Sequence, residues 1–121
     1  MAASKSTARS DLSPELERGL ELIEAGEYFA AHEVLEDAWR ASPAEERDFF
    51  QGLVHVAVAW YQAGRENRVG CERQLEKAAR RLGPYAPEHR GLDVADVLRQ
   101  VSAARFPDLP TPRFRRTRTS G

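Results

Sequence analysis

An all-α domain is what this 121-residue sequence predicts, and three observations predict it. Apolar residues recur with the helical period of about 3.6 in five successive segments. Residues that start and stop helices punctuate those segments. No segment alternates apolar and polar residues for long enough to read as a strand.

The first element opens at Ser13-Pro14-Glu15, which supplies an N-cap, a proline in the first turn and an acid at the positive end of the helix dipole. It runs over residues 14–25 with Leu16, Leu20 and Ile23 on one face, and Gly26 stops it. The second covers residues 28–40. Ser42-Pro43-Ala44-Glu45 has the form of a capping box and opens the third, which ends near Ala63, before Gly64. Asn67 caps the fourth, whose apolar arc is Cys71, Leu75, Ala78, Ala79 and Leu82, and Gly83-Pro84 closes it. After a loop rich in proline, glycine and histidine, Asp93 with Asp96 opens the fifth, which buries Val94, Val97, Leu98 and Val101.

These helices pack as antiparallel hairpins. Residues 35–40 (Leu-Glu-Asp-Ala-Trp-Arg) align with residues 75–80 (Leu-Glu-Lys-Ala-Ala-Arg), and each set belongs to a helix entered from a glycine turn and followed by a partner. Two such pairs, capped by the first helix, give a stack similar in plan to tetratricopeptide repeats, with a longer period and fewer units.

The length fits one domain. Hydrophobic residues at 41% and charged residues at 31% describe a chain that folds rather than a disordered one. The single cysteine, Cys71, excludes an internal disulfide framework and fits a reducing cytoplasm. No apolar run reaches the roughly 20 residues of a membrane span, and the first residues lack the apolar core of a secretory signal, so a soluble cytoplasmic protein with no membrane partner is expected.

The overall charge of −1 conceals an asymmetry. Residues 105–121 carry five arginines against Asp108, a net +4, and residues 13–104 a net −6. The expected organisation is a disordered N-terminal segment at 1–12, one helical domain at 13–104, and a basic tail at 105–121 kept extended by Pro107, Pro110 and Pro112. An arginine tail attracts phosphate-rich partners, but with only Phe106 and Phe114 available to stack on bases it reads first as a solvated end.

The polar residues of interest fall on the second and third helices. His32 lies in the apolar arc of its helix beside Leu35 and Trp39, Glu36 at the edge of that arc, and Glu33 and Asp37 outside it. The third helix is apolar almost all round from Phe49 to Tyr61, the pattern of a helix surrounded by others. Its polar residues Gln51, His55 and Gln62 lie within about 40° of one another. If that stripe faces the second helix, His32, Glu36, Gln51 and His55 converge in one cleft, with Gly52 letting the two backbones approach closely.

Such a cluster has three uses. As a buried polar network it fixes the hairpin register, and each unpaired member costs about 1–3 kcal/mol. As a metal site it draws on His32, Glu36 and His55, since residues four apart on a helix can share a divalent ion. Glutamate at position 36 stands where a zinc-protease helix has its second histidine, and Phe29, Gly52 and Ala86 stand where carboxylate-bridged di-iron helices have glutamate. As a recognition cleft it uses Tyr28, Trp39 and Arg40 to hold a protein or small-molecule ligand that His32 and Glu36 orient.

His32 and Glu36 suit general acid–base chemistry. No nucleophile accompanies them: Cys71 lies in an apolar arc, no motif places a serine nearby, and there is no glycine-rich phosphate loop. The candidate binding residues are therefore His32, Glu33, Glu36, Trp39, Arg40, Gln51 and His55, in a binding or interaction module that needs no cofactor. The alternative is a metal-dependent hydrolase using the same centre. An exposed Tyr28 or Trp39 would favour a homodimer.

The strings Gly26-Glu27-Tyr28-Phe29, His32-Glu33-x-Leu35-Glu36-x-x-Trp39-Arg40 and Phe50-Gln51-Gly52-Leu53-Val54, with Gly64, Asn67 and Gly70, resemble a small prokaryotic helical family known as domain of unknown function number 309. The likeness covers about residues 15–101. It implies a single domain of helical hairpins without an assigned activity, and its signature maps onto Phe29, His32, Glu33, Leu35, Glu36, Trp39, Arg40, Gln51 and Gly52. The tail beyond Ala104 lies outside it.

Overall fold

The computed structural model describes residues 11–117. Leu12, expected in the N-terminal segment, is 4% exposed and joins the core, while the rest of that expectation, residues 1–10, lies outside the described part.

Helix α1 (Ser13–Glu24) starts where the Asp11 carboxylate accepts the Ser13 N–H and Pro14 occupies the first turn. It buries Leu16, Leu20 and Ile23 and ends at Gly26, whose φ of +82° only glycine adopts without strain. Helix α2 (Tyr28–Ala41) buries Ala31, Leu35 and Ala38, and α3 (Ala44–Gly64) buries Phe49, Phe50, Leu53, Val56, Ala57 and Trp60. In α4 (Arg68–Leu82) the Asn67 side chain accepts the Gly70 N–H at 2.9 Å, the cap its sequence foretells.

A 3₁₀ turn (Gly83–Tyr85) leads to a minimal antiparallel hairpin, β1 (Glu88–His89) and β2 (Leu92–Asp93), joined by Arg90 and Gly91 with positive φ of 52° and 76°. Two positive φ values in a two-residue loop match the twist of a tight hairpin. The strands are too short to leave a period-two pattern in the sequence. Helix α5 (Val94–Ala103) is capped by Asp93, which accepts the Asp96 N–H at 2.9 Å.

The class is all-α, and five α-helices pack on one another among the described residues. Each packs on its neighbour in sequence, so α2, α3 and α4 form a layer with α3 in the middle and α1 laid on α2. The second helix pair is looser than the first, since α5 touches α4 over much less of its length than α3 touches α2. No helix of the described residues is long and apolar enough to cross a membrane.

Several expectations are corrected, the first being that Leu12, not Ser13, is the N-cap of α1. The capping box at Ser42 does not form: Pro43 is the N-cap, and the Ser42 hydroxyl donates to the Trp39 carbonyl at 2.8 Å. The linker is so short that Ser42 serves the unpaired carbonyls ending α2 instead of the amides opening α3.

The boundary expected at residue 104 is also not where the domain ends. Residues 105–108 form a turn closed by a bridge between Arg105 and Asp108, and from there to residue 117 the chain is extended but strapped to the helices. Phe114 is 8% exposed, and its N–H donates to Glu24 at 2.7 Å. The Trp60 indole N–H donates to the Pro110 carbonyl, the Gln100 amide pairs with both backbone groups of Arg113, and Arg116 meets Glu17 at 2.7 Å. The Asp93 and Thr117 amides close the strap against the β-hairpin. Of the tail only residues 118–121 lie outside the described part.

Close approach of helices depends on two glycines. A Cβ on Gly19 would lie 2.5 Å from Leu35 Cγ, and one on Gly52 would lie 2.6 Å from Leu82 Cγ and 3.2 Å from Arg81 Cβ. The close contact at Gly52 is therefore with α4, not with α2 as the sequence reading had it. Gly52→Ala gains helix propensity of about 1 kcal/mol but overpacks a fully buried leucine at about 1–3 kcal/mol, so urea unfolding should show a net loss near 1 kcal/mol. Gly64→Ala, with nothing within 4 Å, should be neutral or stabilise. Truncating the strap's anchor, Phe114→Ala, should cost about 3 kcal/mol in the same assay.

Candidate functional site

Helix α3 leaves one strip of its surface partly open, the ledge between α2 and α4 that carries Gln51, His55, Val58 and Gln62. Their spacing of four, three and four residues keeps them in one arc of about 60°. The ledge is where the candidate residues gather, but the structure divides them between its two sides.

On the α2 side, His32 Nε2 approaches Glu36 Oε1 at 3.7 Å, and Arg40 reaches the same oxygen at 3.6 Å and Asp37 at 3.6 Å. The His32 ring lies 5.6 Å from that of Phe29, which lies 5.6 Å from that of Tyr61. These three with Val58 and Gln62 line a mainly apolar notch of about 190 Å³. Phe29 is 53% exposed at its rim. His32 Nδ1 is closed off from solvent and has no hydrogen-bond partner among the described residues. With Nε2 assigned as the protonated nitrogen facing the carboxylate, Nδ1 is a buried acceptor without a donor. Gln62 accepts from Asn67 Nδ2 at 3.0 Å, and Arg65 donates to the Tyr61 hydroxyl at 3.4 Å, which fixes the notch's far wall.

On the α4 side, His55 Nδ1 pairs with Gln74 Oε1 at 2.7 Å. His55 thus turns away from His32, which corrects the expected convergence of His32, Glu36, Gln51 and His55 in one cleft. A narrow arc lying between two helices can serve either, and Gln74 on α4 provides the partner. The three metal candidates His32, Glu36 and His55 are accordingly not brought together, and among the described residues no group of three or more His, Cys, Asp or Glu is placed to hold a metal ion. Gln51 sits one turn from His55 on the same ledge.

The other candidates lie off the ledge. Glu33 is exposed on the outer face of α2, and Arg40 has 63% of its side chain exposed. Trp39 is half-buried beneath the Arg47 guanidinium, 5.7 Å from its ring centroid, and Tyr28 is half-buried with its hydroxyl 3.5 Å from Thr111. Neither offers the open aromatic face that would favour pairing of two copies. Cys71 is fully buried, and burial and then Glu72 push its thiol pKa up, in keeping with an inert role.

A second polar cluster escaped the sequence reading. Glu46 Oε1 accepts from His89 Nε2 and from Arg90 Nε, each at 2.9 Å. His89 lies edge-on to Phe49 and Tyr85, and Arg90 lies over Phe50. Burial raises the Glu46 carboxyl pKa, but the two donors and their charge outweigh it and hold it below the ordinary value. The cluster clasps the β-hairpin to the first turn of α3. Its signal was the His89-Arg90-Gly91 string in a loop, which a reading by helical faces passes over.

The family described as Domain of unknown function (DUF309) matches residues 16–74. That stretch holds α1 to α3, the start of α4 and every candidate residue. Over these residues, just under half of the chain, the sequence is similar to this family. A relative in Bacillus subtilis (strain 168), the uncharacterized protein YpuF, is 34% identical over 68 residues, which is 55% of this chain. The match spans 37% of that protein's length. The DUF309 match ends at Gln74, the partner of His55, so the whole ledge lies within it, whereas α5 and the strap lie beyond.

His55 makes stability depend on pH. Burial lowers its pKa, the Gln74 bond opposes, and Lys77, Arg81 and Arg80 lower it further. The unfolded chain therefore binds a proton that the folded chain refuses, so the contribution is complete above the unfolded value near 6.5 and is lost as pH falls through the folded value. Melting temperature should rise with pH up to about 6.5, and in His55→Gln that part of the slope should disappear.

Proposed function

We propose that the protein is a binding module whose recognition surface is the α3 ledge, with the Phe29–His32–Tyr61 notch as its anchor point. One observation carries this reading: an aromatic ring left half in water sits beside an apolar notch that also holds an unpaired imidazole nitrogen. Exposed aromatic surface and an unsatisfied buried polar atom each cost stability, and proteins keep such features together where a partner completes them. The occupant that suits the notch is a peptide segment presenting one large apolar or aromatic side chain. Gln51, His55, Gln62 and Gln74 along the ledge offer amide and imidazole groups to its backbone. His32 and Glu36 orient the anchor rather than perform chemistry, since no nucleophile stands beside them.

Selection from a random peptide phage library on the immobilised chain tests the reading. Enriched peptides should share one large apolar residue. Their affinity should fall about tenfold or more in Phe29→Ser and in His32→Ala, as for a central contact of an interface, and should be unchanged in Arg99→Ala on α5. No enrichment, or enriched peptides that bind both notch variants as well as the wild type, would overturn it.

A further inference from the structure

We propose that the chain self-associates, the outward stripe of α2 in one copy docking on the outward stripe of α4 in another. Phe29 and Val69, 53% and 60% exposed, are the exposed large hydrophobic residues among the described part of the chain. They stand forty residues apart, at equivalent positions of the internal repeat, each near the start of its helix.

The residues that follow at helical spacing share the same outward stripes but with opposite charge. On α2 the stripe is Phe29, Glu33, Asp37 and Arg40; on α4 it is Val69, Arg73, Lys77 and Arg80. Repeat-equivalent positions thus pair Phe29 with Val69, Glu33 with Arg73, and Asp37 with Lys77. Arg40 faces Arg80 in this alignment, but Glu36 and Asp37 already hold Arg40, so the end of α2 stays net negative. Among the described residues Arg73, Lys77 and Arg80 enter no ion pair, and they remain positive in sum beside exposed Glu76.

The geometry sets the direction of docking. Both α2 and α4 run antiparallel to α3, so they are parallel to each other. A parallel docking of the α2 stripe on the α4 stripe of another copy matches apolar end to apolar end and acid to base. The contact joins two unlike surfaces of the chain rather than one surface to itself. Two exposed hydrophobic side chains and a few ion pairs make a weak contact, strengthened by electrostatic complementarity at low salt.

Sedimentation velocity on the 121-residue chain tests this. At low ionic strength the weight-average mass should exceed that of one chain, rise with concentration, and fall back as salt shortens the screening length from about 10 Å at 0.1 M to about 3 Å at 1 M. Glu33→Lys with Asp37→Lys should abolish association, as should Arg73→Glu with Lys77→Glu. A chain carrying all four changes should regain it, which separates lost complementarity from lost folding. His32→Ala, which empties the notch of its imidazole, should associate like the wild type, so this inference and the peptide-binding reading can fail separately. A monomer at all concentrations, double variants that still associate, or a fourfold variant that does not, would each overturn the proposal.

Discussion

The structure depends on covering α3. From Phe49 to Trp60 this helix places large apolar side chains in nearly every direction, and Phe49, Phe50, Leu53, Val56, Ala57, Ala59 and Trp60 end with 4% exposure or less. No single neighbour can enclose such a helix, so α2 and α4 are required on opposite sides, and Gly52 brings α4 close enough for Leu82 to fill the space beside the backbone. A cylinder held from two sides keeps an open seam, and that seam is the ledge. The place where a partner can be met follows from the packing problem.

The same demand explains the strap. Trp60 lies at the end of α3 where the helical layer runs out, and its indole N–H needs an acceptor once buried. Pro110 supplies the carbonyl, and Phe114 closes the adjoining surface between α1 and the hairpin. Proline suits this role because the strap has no helical neighbour to satisfy and its carbonyls remain free to accept. The arginines that give this segment its basic character are partly spent on the fold, as in the pairing of Arg116 with Glu17. Counting charge along the chain could not reveal that, because Glu17 is ninety-nine residues away.

Features legible in the sequence were those governed by local rules. Asn67 and Asp93 cap their helices because a short polar side chain three residues before an open amide has one good partner. Gly26 stops α1 because its φ is positive. The all-round apolar pattern of α3 announced its central place. Ser42 shows where local rules fail: it had two helix ends within reach, and choosing between them depends on how tightly α2 turns into α3. His55 was misplaced for a similar reason, since the wheel put its stripe between α2 and α4 without deciding which of the two holds its partner, and Gln74 on α4 does. The Glu46 cluster joins residues more than forty positions apart through a hairpin with strands of two residues, and no periodicity marks such a contact.

The ledge is electrically uneven, and that bears on what it can meet. Glu36 borders it on the α2 side beside His32, with exposed Glu33 and Asp37 on the same helix, and Lys77, Arg80 and Arg81 lie on the α4 side, close enough to depress the His55 pKa. A peptide lying across α3 therefore runs from a negative wall to a positive one. Peptides carry the same asymmetry: a basic residue toward α2 and an acidic one toward α4 complement it, and the reverse orientation meets like charge on both sides. The notch sits on the acidic side, so the anchor side chain and a neighbouring cation belong at the same end of the peptide. Orientation is thereby set by charge and depth of insertion by the notch, which divides recognition between a long-range term that salt weakens and a short-range apolar one that it does not.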